Sequence, residues 1–227
     1  MKTEIQPSAE AVAARASELI LDAANAAIER RGAFSLVLAG GTSPAACYQR
    51  LATAQADWLS WHLYFGDERC LEPTDPQRNS VMAADLLTNR VPIPVHQVHP
   101  IHAERGPDAA ARDYEATIRS ILPFDLVVLG MGEDGHTASL FPGHRHPADS
   151  LVVPVHGAPK PPPERVSLGA PVIDGCRQLL VLVTGAGKRS AMKRWREGDD
   201  LPIARLAKGG HTTLLLDEAA CPDAPVT

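Results

Sequence analysis

No C-x-x-C pair, no apolar run of membrane-spanning length and no surplus of positive charge occur in this chain of 227 residues. The four cysteines, Cys47, Cys70, Cys176 and Cys221, are widely spaced. That spacing argues against a zinc ribbon, a thioredoxin-type site or a disulfide framework, and it leaves no clear metal-ligand set, so neither a metal nor another cofactor is expected. The lack of a long apolar stretch argues against a membrane partner. The N-terminus has no charged segment followed by an apolar one, so a secretory leader is not expected and a reduced, cytoplasmic location is. A net charge of −5 argues against nucleic acid as a main partner, because such partners select a basic surface. It leaves room for a small anionic ligand, since an acidic protein can carry a basic pocket.

What is present is ordinary for a globular protein: 44% hydrophobic and 22% charged residues. The length fits one α/β domain, expected over residues 1–227. Val12, Ala16, Leu19, Ile20, Ala23, Ala27 and Ile28 recur at helical spacing, with Ser8 as cap and Gly32 as left-handed stop, predicting a helix over Ser8–Arg31. Strands are predicted at Phe34–Gly40, His62–Phe65, Val95–Ile101, from Phe124, at Arg165–Gly169, at Leu179–Gly185 and at Thr212–Leu216. Helices are predicted between them: Ala45–Ala52, Ser80–Asn89, Pro107–Leu122, Pro171–Cys176 and Gly187–Gly198. His156–Glu164, rich in proline, reads as an extended loop within the domain. Strands alternating with helices imply an α/β fold with a mostly parallel sheet and helices on both faces.

The chemistry gathers at predicted strand ends. The run FDLVVLGMGEDGHTASLFPG, Phe124–Gly143, is a buried-looking strand that breaks into a glycine-rich loop bearing Asp134 and His136. Gly130, Gly132 and Gly135 permit tight turns and close approach to a ligand, and ligands of open α/β sheets bind beyond the carboxyl ends of strands. An imidazole there is a candidate proton-transfer group. Gly40-Gly41-Thr42-Ser43-Pro44 lies between a strand and a helix, with Ser43 expected as cap, and makes a candidate anion site. It matches neither G-x-x-x-x-G-K-[ST] nor G-x-G-x-x-G, so a nucleoside triphosphate or dinucleotide is not indicated. Asp67 and Arg69 of the Gly66–Arg69 run can orient a base and bind an anion, and Asn79 can add an amide. Lys160 or Arg165 of the proline-stiffened loop, and Lys188 after Thr184-Gly185-Ala186-Gly187, are further candidate anion ligands.

Together these residues resemble the 6-phosphogluconolactonase family. Gly130–Gly143 resembles its signature, and GGTSP, GDER, Asn79, KPPPERVSL and TGAGK follow the family's order at similar spacing, over roughly Phe34–Lys188. Ser43 and Ser167 stand where the family usually has threonine, which keeps a hydroxyl. The related glucosamine-6-phosphate deaminases share Asp-Gly-His but continue differently. Here Thr137–Pro142 lacks the acid that follows, and Arg69 stands where deaminases have an aromatic. A sugar-phosphate sensor, the other reading, normally carries a DNA-binding domain, and no basic helix-turn-helix is legible.

The resemblance implies a modified Rossmann-like sandwich and hydrolysis of 6-phospho-D-glucono-1,5-lactone to 6-phosphogluconate. His136 is the expected base, steadied by Asp134 or Asp67. The phosphate is expected among Gly40, Gly41, Thr42, Ser43, Arg69, Asn79, Arg165 and Lys188. The expected partner is a small sugar phosphate, with the protein a monomer or small homo-oligomer.

Overall fold

The computed structural model describes residues 1–222; the last five residues of the expected 1–227 unit lie outside the described part. Six strands form one sheet: β1 (Lys2–Gln6), β2 (Phe34–Leu38), β3 (Trp61–Phe65), β5 (Leu126–Gly130), β8 (Gln178–Val183) and β9 (Thr212–Asp217), in the order β1-β9-β8-β5-β2-β3 and parallel throughout. Helices α1 (Ala9–Arg31), α2 (Thr42–Leu51), α4 (Pro107–Ile118) and α6 (Arg189–Arg196) pack around it, with shorter helices α3 (Asn79–Ala83), α5 (Ala170–Asp174) and α7 (Pro202–Leu206). Among the described residues, no helix is long and apolar enough to cross a membrane.

The expected start and stop of α1 hold. The Ser8 hydroxyl accepts from Ala11 N–H at 3.2 Å, and Gly32 sits at φ 77° and donates its N–H to Ile28. The strand β5 is buried along Leu126–Leu129, as its continuous apolar run requires. Two buried tyrosines pin strand ends. Tyr48 Oη accepts from Ala39 N–H and donates to Ala39 C=O, and Tyr114 Oη does the same at Phe65.

Four features depart from the sequence reading. A small antiparallel sheet, β4 (Asp67–Arg69), β7 (Arg165–Leu168) and β6 (Val152–Val155), accompanies the parallel one, and His156–Glu164 is the connection of its β6–β7 hairpin. Gly66 joins the two sheets, donating its N–H to Leu38 and accepting from Leu168 N–H at 2.7 Å. The β1 strand is an addition; its sequence KTEIQ lies at the sheet edge and lacks the apolar density of an inner strand. Val95–Ile101 is not a strand: it is a tight turn at Val95–Gln97 followed by a single bridge of Val98 to Leu63. Pro94 precedes it and Pro100 lies within it, and neither has an N–H for a ladder. The helix expected over Ser80–Asn89 starts at Asn79 and widens into a π turn from Ala84.

Strand order reverses between β2 and β5. Their register covers only Leu36–Val37 against Leu126–Val127, and beyond it the chains part into loops. This is the switch point at which open α/β sheets bind ligands. The loop after β3 is fixed there by Glu68, which is fully buried. Its carboxylate accepts from the N–H groups of Arg69, Asn79 and Ser80 at 2.7–2.8 Å and faces Arg78 Nε at 3.4 Å. Glu68→Ala is expected to lower stability by about 3–5 kcal/mol, because it leaves three backbone donors without their acceptor and the buried Arg78 short of one partner. Urea unfolding measures this, and a loss below about 1 kcal/mol would show that the carboxylate is not what fixes the loop.

Candidate active site

A cleft of about 370 Å³ opens at the switch point, within the size range of small-molecule sites. Of the expected residues, Gly40, Gly41, Thr42, Ser43, Asp67, Arg69, Asn79, His136, Arg165 and Lys188 all line it. Asp134 stands immediately behind His136.

The first wall is the turn after β2. Gly41, at φ 102°, is the N-cap of α2, and no side chain caps the helix. The Ser43 hydroxyl, expected in that role, reaches instead to Thr184 Oγ1 at 2.5 Å and ties this turn to the end of β8. The amides of the first turn have no intrahelical acceptor, so the helix start presents bare N–H groups toward an anion. Gly40 must be glycine because a Cβ there would fall 2.0 Å from Asn79 Oδ1.

The second wall is β4. Asp67 is buried and fully engaged: Oδ2 accepts from Ser139 Oγ at 2.6 Å and Oδ1 from Asn79 Nδ2 at 3.0 Å. Asn79 therefore acts as a brace between Gly40 and Asp67 rather than as a free amide. The Arg69 guanidinium donates through Nη1 to Gln77 C=O, and its buried Nε has no protein acceptor.

The third wall is the loop after β5. His136 Nδ1 lies 2.5 Å from Asp134 Oδ1, and its own amide donates to the same oxygen at 3.2 Å. Of the two acids considered for this role, Asp134 makes the bond and Asp67 does not touch the ring. Gly132 provides the room: a Cβ there would lie 2.0 Å from His136 Nδ1 and 2.7 Å from Asp134 Oδ1. The imidazole packs against Phe141, ring centroids 4.6 Å apart, and Phe141 lies under the Arg165 guanidinium at 5.5 Å. Ala138, at φ 48°, is the one non-glycine residue with positive φ among the described residues, and such strain concentrates at functional sites.

Burial pushes His136 below the ordinary imidazole value, and the Asp134 hydrogen bond and charge offset this only in part. Burial also pushes Asp134 upward, but the hydrogen bond and charge of His136 outweigh it and hold the carboxyl below its usual range. The ring is thus neutral near neutral pH. With Nδ1–H donated to Asp134, Nε2 carries the lone pair. The imidazole side chain is 18% exposed, enough for water to reach it.

The cations are differently employed. Arg165 is buried and donates to the carbonyls of Lys160, Pro161 and Pro162 at 2.9–3.0 Å, so three of its donors hold the β6–β7 connection and only Nη1 is left over. Lys188 ends a short turn whose Gly185 N–H is accepted by Asp217 at 2.9 Å; the lysine has no carboxylate partner among the described residues. Sequence reasoning passed over Ser139, whose hydroxyl lies inside the recognised motif, and Phe141.

The glucosamine-6-phosphate isomerases/6-phosphogluconolactonase family model matches residues 7–215. The chain belongs to this family. Within the family, a 6-phosphogluconolactonase of Mycobacterium tuberculosis is 38% identical over 98% of both chains. One of Streptomyces coelicolor is 36% identical over 96% of this chain and 90% of its own. Among solved structures, the 6-phosphogluconolactonase of Thermotoga maritima is 27% identical with a TM-score of 0.86, covering 95% of this chain and 98% of that one. A monomeric glucosamine-6-phosphate deaminase, at 22% identity and a TM-score of 0.85 over 97% of this chain and 98% of that one, shares the fold.

Gly132→Ala is expected to leave the fold intact and to push His136 off Asp134. A crystal structure of the variant, or loss of the downfield imidazole N–H proton signal, measures this. An unmoved ring would show that the loop backbone, not the imidazole, yields to the added methyl group.

Proposed function

We propose that this protein hydrolyses 6-phospho-D-glucono-1,5-lactone to 6-phospho-D-gluconate, the second step of the oxidative pentose phosphate pathway, with His136 as general base and without a metal or cofactor. The observation that carries the base assignment is the neutral, Asp134-tethered imidazole at the end of β5, facing a cleft with cations on its other walls. His136 Nε2 takes a proton from water, and the hydroxide attacks the lactone carbonyl. The tetrahedral intermediate collapses, the bond to the ring oxygen breaks, and His136 returns the proton to that oxygen. Base assistance of this kind contributes roughly 10²–10⁴-fold. Asp134 keeps the tautomer and stabilises the imidazolium that forms.

The substrate phosphate sits at the bare start of α2, against the Thr42 and Ser43 amides and hydroxyls, with Arg69 and Lys188 as counter-ions. Anchoring that remote group holds the lactone carbonyl near His136, which turns a two-body encounter into a positioned one. Arg69, whose Nε has no protein acceptor, also faces the place where negative charge develops on the carbonyl oxygen. Asp67 and Asn79 fix the walls.

Lactone hydrolysis measured above the spontaneous background is the test. His136→Ala is expected to lower kcat/KM by about 10²–10⁴-fold while binding of 6-phosphogluconate, followed by calorimetry, stays nearly unchanged. The wild-type rate should fall as pH drops through a value below 6.5, because burial lowers the pKa of the base from that ordinary figure and protonation removes the lone pair. Near-normal turnover in His136→Ala would remove the base assignment. No acceleration by the wild type, or ammonia release from glucosamine 6-phosphate, would overturn the activity.

A further inference from the structure

The β6–β7 connection brings a lysine to the base, and neither the hydrolytic route above nor phosphate binding makes use of it. Lys160 lines the cleft, and its Nζ lies 4.0 Å from Asp134 Oδ1, the oxygen that binds His136 Nδ1. Its backbone is not free to wander. Its carbonyl, with those of Pro161 and Pro162, accepts from Arg165, and Ala158 N–H donates to Pro163 C=O across the same loop. The prolines add stiffness.

We propose that Lys160 is a positioning residue for the base: its ammonium shares Asp134 with His136, which keeps the imidazole neutral and extends the activity to lower pH. The proposal rests on the reading of His136 as base. The physical argument is electrostatic and works twice in one direction. A cation on the far side of Asp134 draws on the carboxylate charge that would otherwise favour imidazolium. The same cation repels a proton arriving on the ring.

The other charged groups around the ring do not substitute for it. In its own loop are Glu133, exposed at the cleft, and Asp134. From β4 come Asp67, spent on Ser139 and Asn79, and Arg69, bonded to Gln77. Arg165 is screened from the ring by Phe141, and Lys188 stands across the cleft after β8. Among the described residues, Lys160 is the cation within ion-pair distance of Asp134.

The test is an NMR titration of the labelled His136 imidazole in the unliganded protein, beside the pH profile of kcat/KM, for wild type, Lys160→Met and Lys160→Arg. Lys160→Met is expected to raise the His136 midpoint by about half a pH unit, roughly a threefold gain in proton affinity, and to move the acid limb of the profile upward by the same amount. Lys160→Arg should restore both. An unmoved His136 midpoint in Lys160→Met overturns the proposal, and a raised KM alongside it would make Lys160 a substrate ligand instead. If the midpoint moves but the rate does not follow it, the fault lies with His136 as base and not with the coupling.

Discussion

The cleft depends on two buried carboxylates at the point where the chain leaves the parallel sheet for the antiparallel one. A buried carboxylate is tolerated only when its lone pairs are met. Glu68 meets that demand with the N–H of its neighbour Arg69, with the Asn79 and Ser80 N–H groups at the start of α3, and with Arg78. Asp67 meets it with Asn79 and with Ser139 from the loop after β5. Each acid therefore joins chain segments distant in sequence. The walls that carry Arg69 and the His136 loop keep their spacing because these two residues cannot be left unpaired.

Onto that frame the protein adds charge of the other sign. The chain is acidic overall, with a net charge of −5, yet the cleft gathers Arg69, Lys160, Arg165 and Lys188. Their roles separate by what already occupies them. Arg165 spends most of its donors on three carbonyls and so shapes the loop it belongs to. Lys188 lines the cleft with no carboxylate partner among the described residues. Apolar packing does the complementary work: Phe141 walls off one side of the imidazole and contributes the desolvation that keeps it neutral. Glycine is the third ingredient, because at Gly40 and Gly132 a methyl group would occupy the space of the Asn79 and His136 side chains.

Much of this was legible from residue order, since its causes are local. The period of α1, its Ser8 cap and Gly32 stop, and the apolar run of β5 are properties of neighbouring residues, and they appear where expected. So do the turns after β2, β3, β5 and β8, which a parallel sheet must bring to one edge. That edge geometry is why almost every residue expected at the site lines one cleft.

What the residue order left open was decided by partners remote along the chain. It could not choose between Asp134 and Asp67 for His136, because the choice turns on which carboxylate Ser139 and Asn79 have already taken. It offered Ser43 as a cap, whereas the hydroxyl bonds Thr184, 141 residues away. It read Val95–Ile101 as a short strand, but a ladder needs N–H donors that Pro94 and Pro100 lack and a longer stretch of contact with the edge strand. Of the antiparallel sheet it offered only the Arg165–Gly169 strand, which is β7; β4 and β6 went unread because they are three and four residues long and take their form from pairing with β7. By itself, the sequence determined the periodicity, the turns and the chemical inventory of the strand ends, because those depend on adjacent residues. Tertiary structure decided which acid faces which base and which cation is free to act, because hydrogen-bond capacity and burial are assigned only when the loops meet.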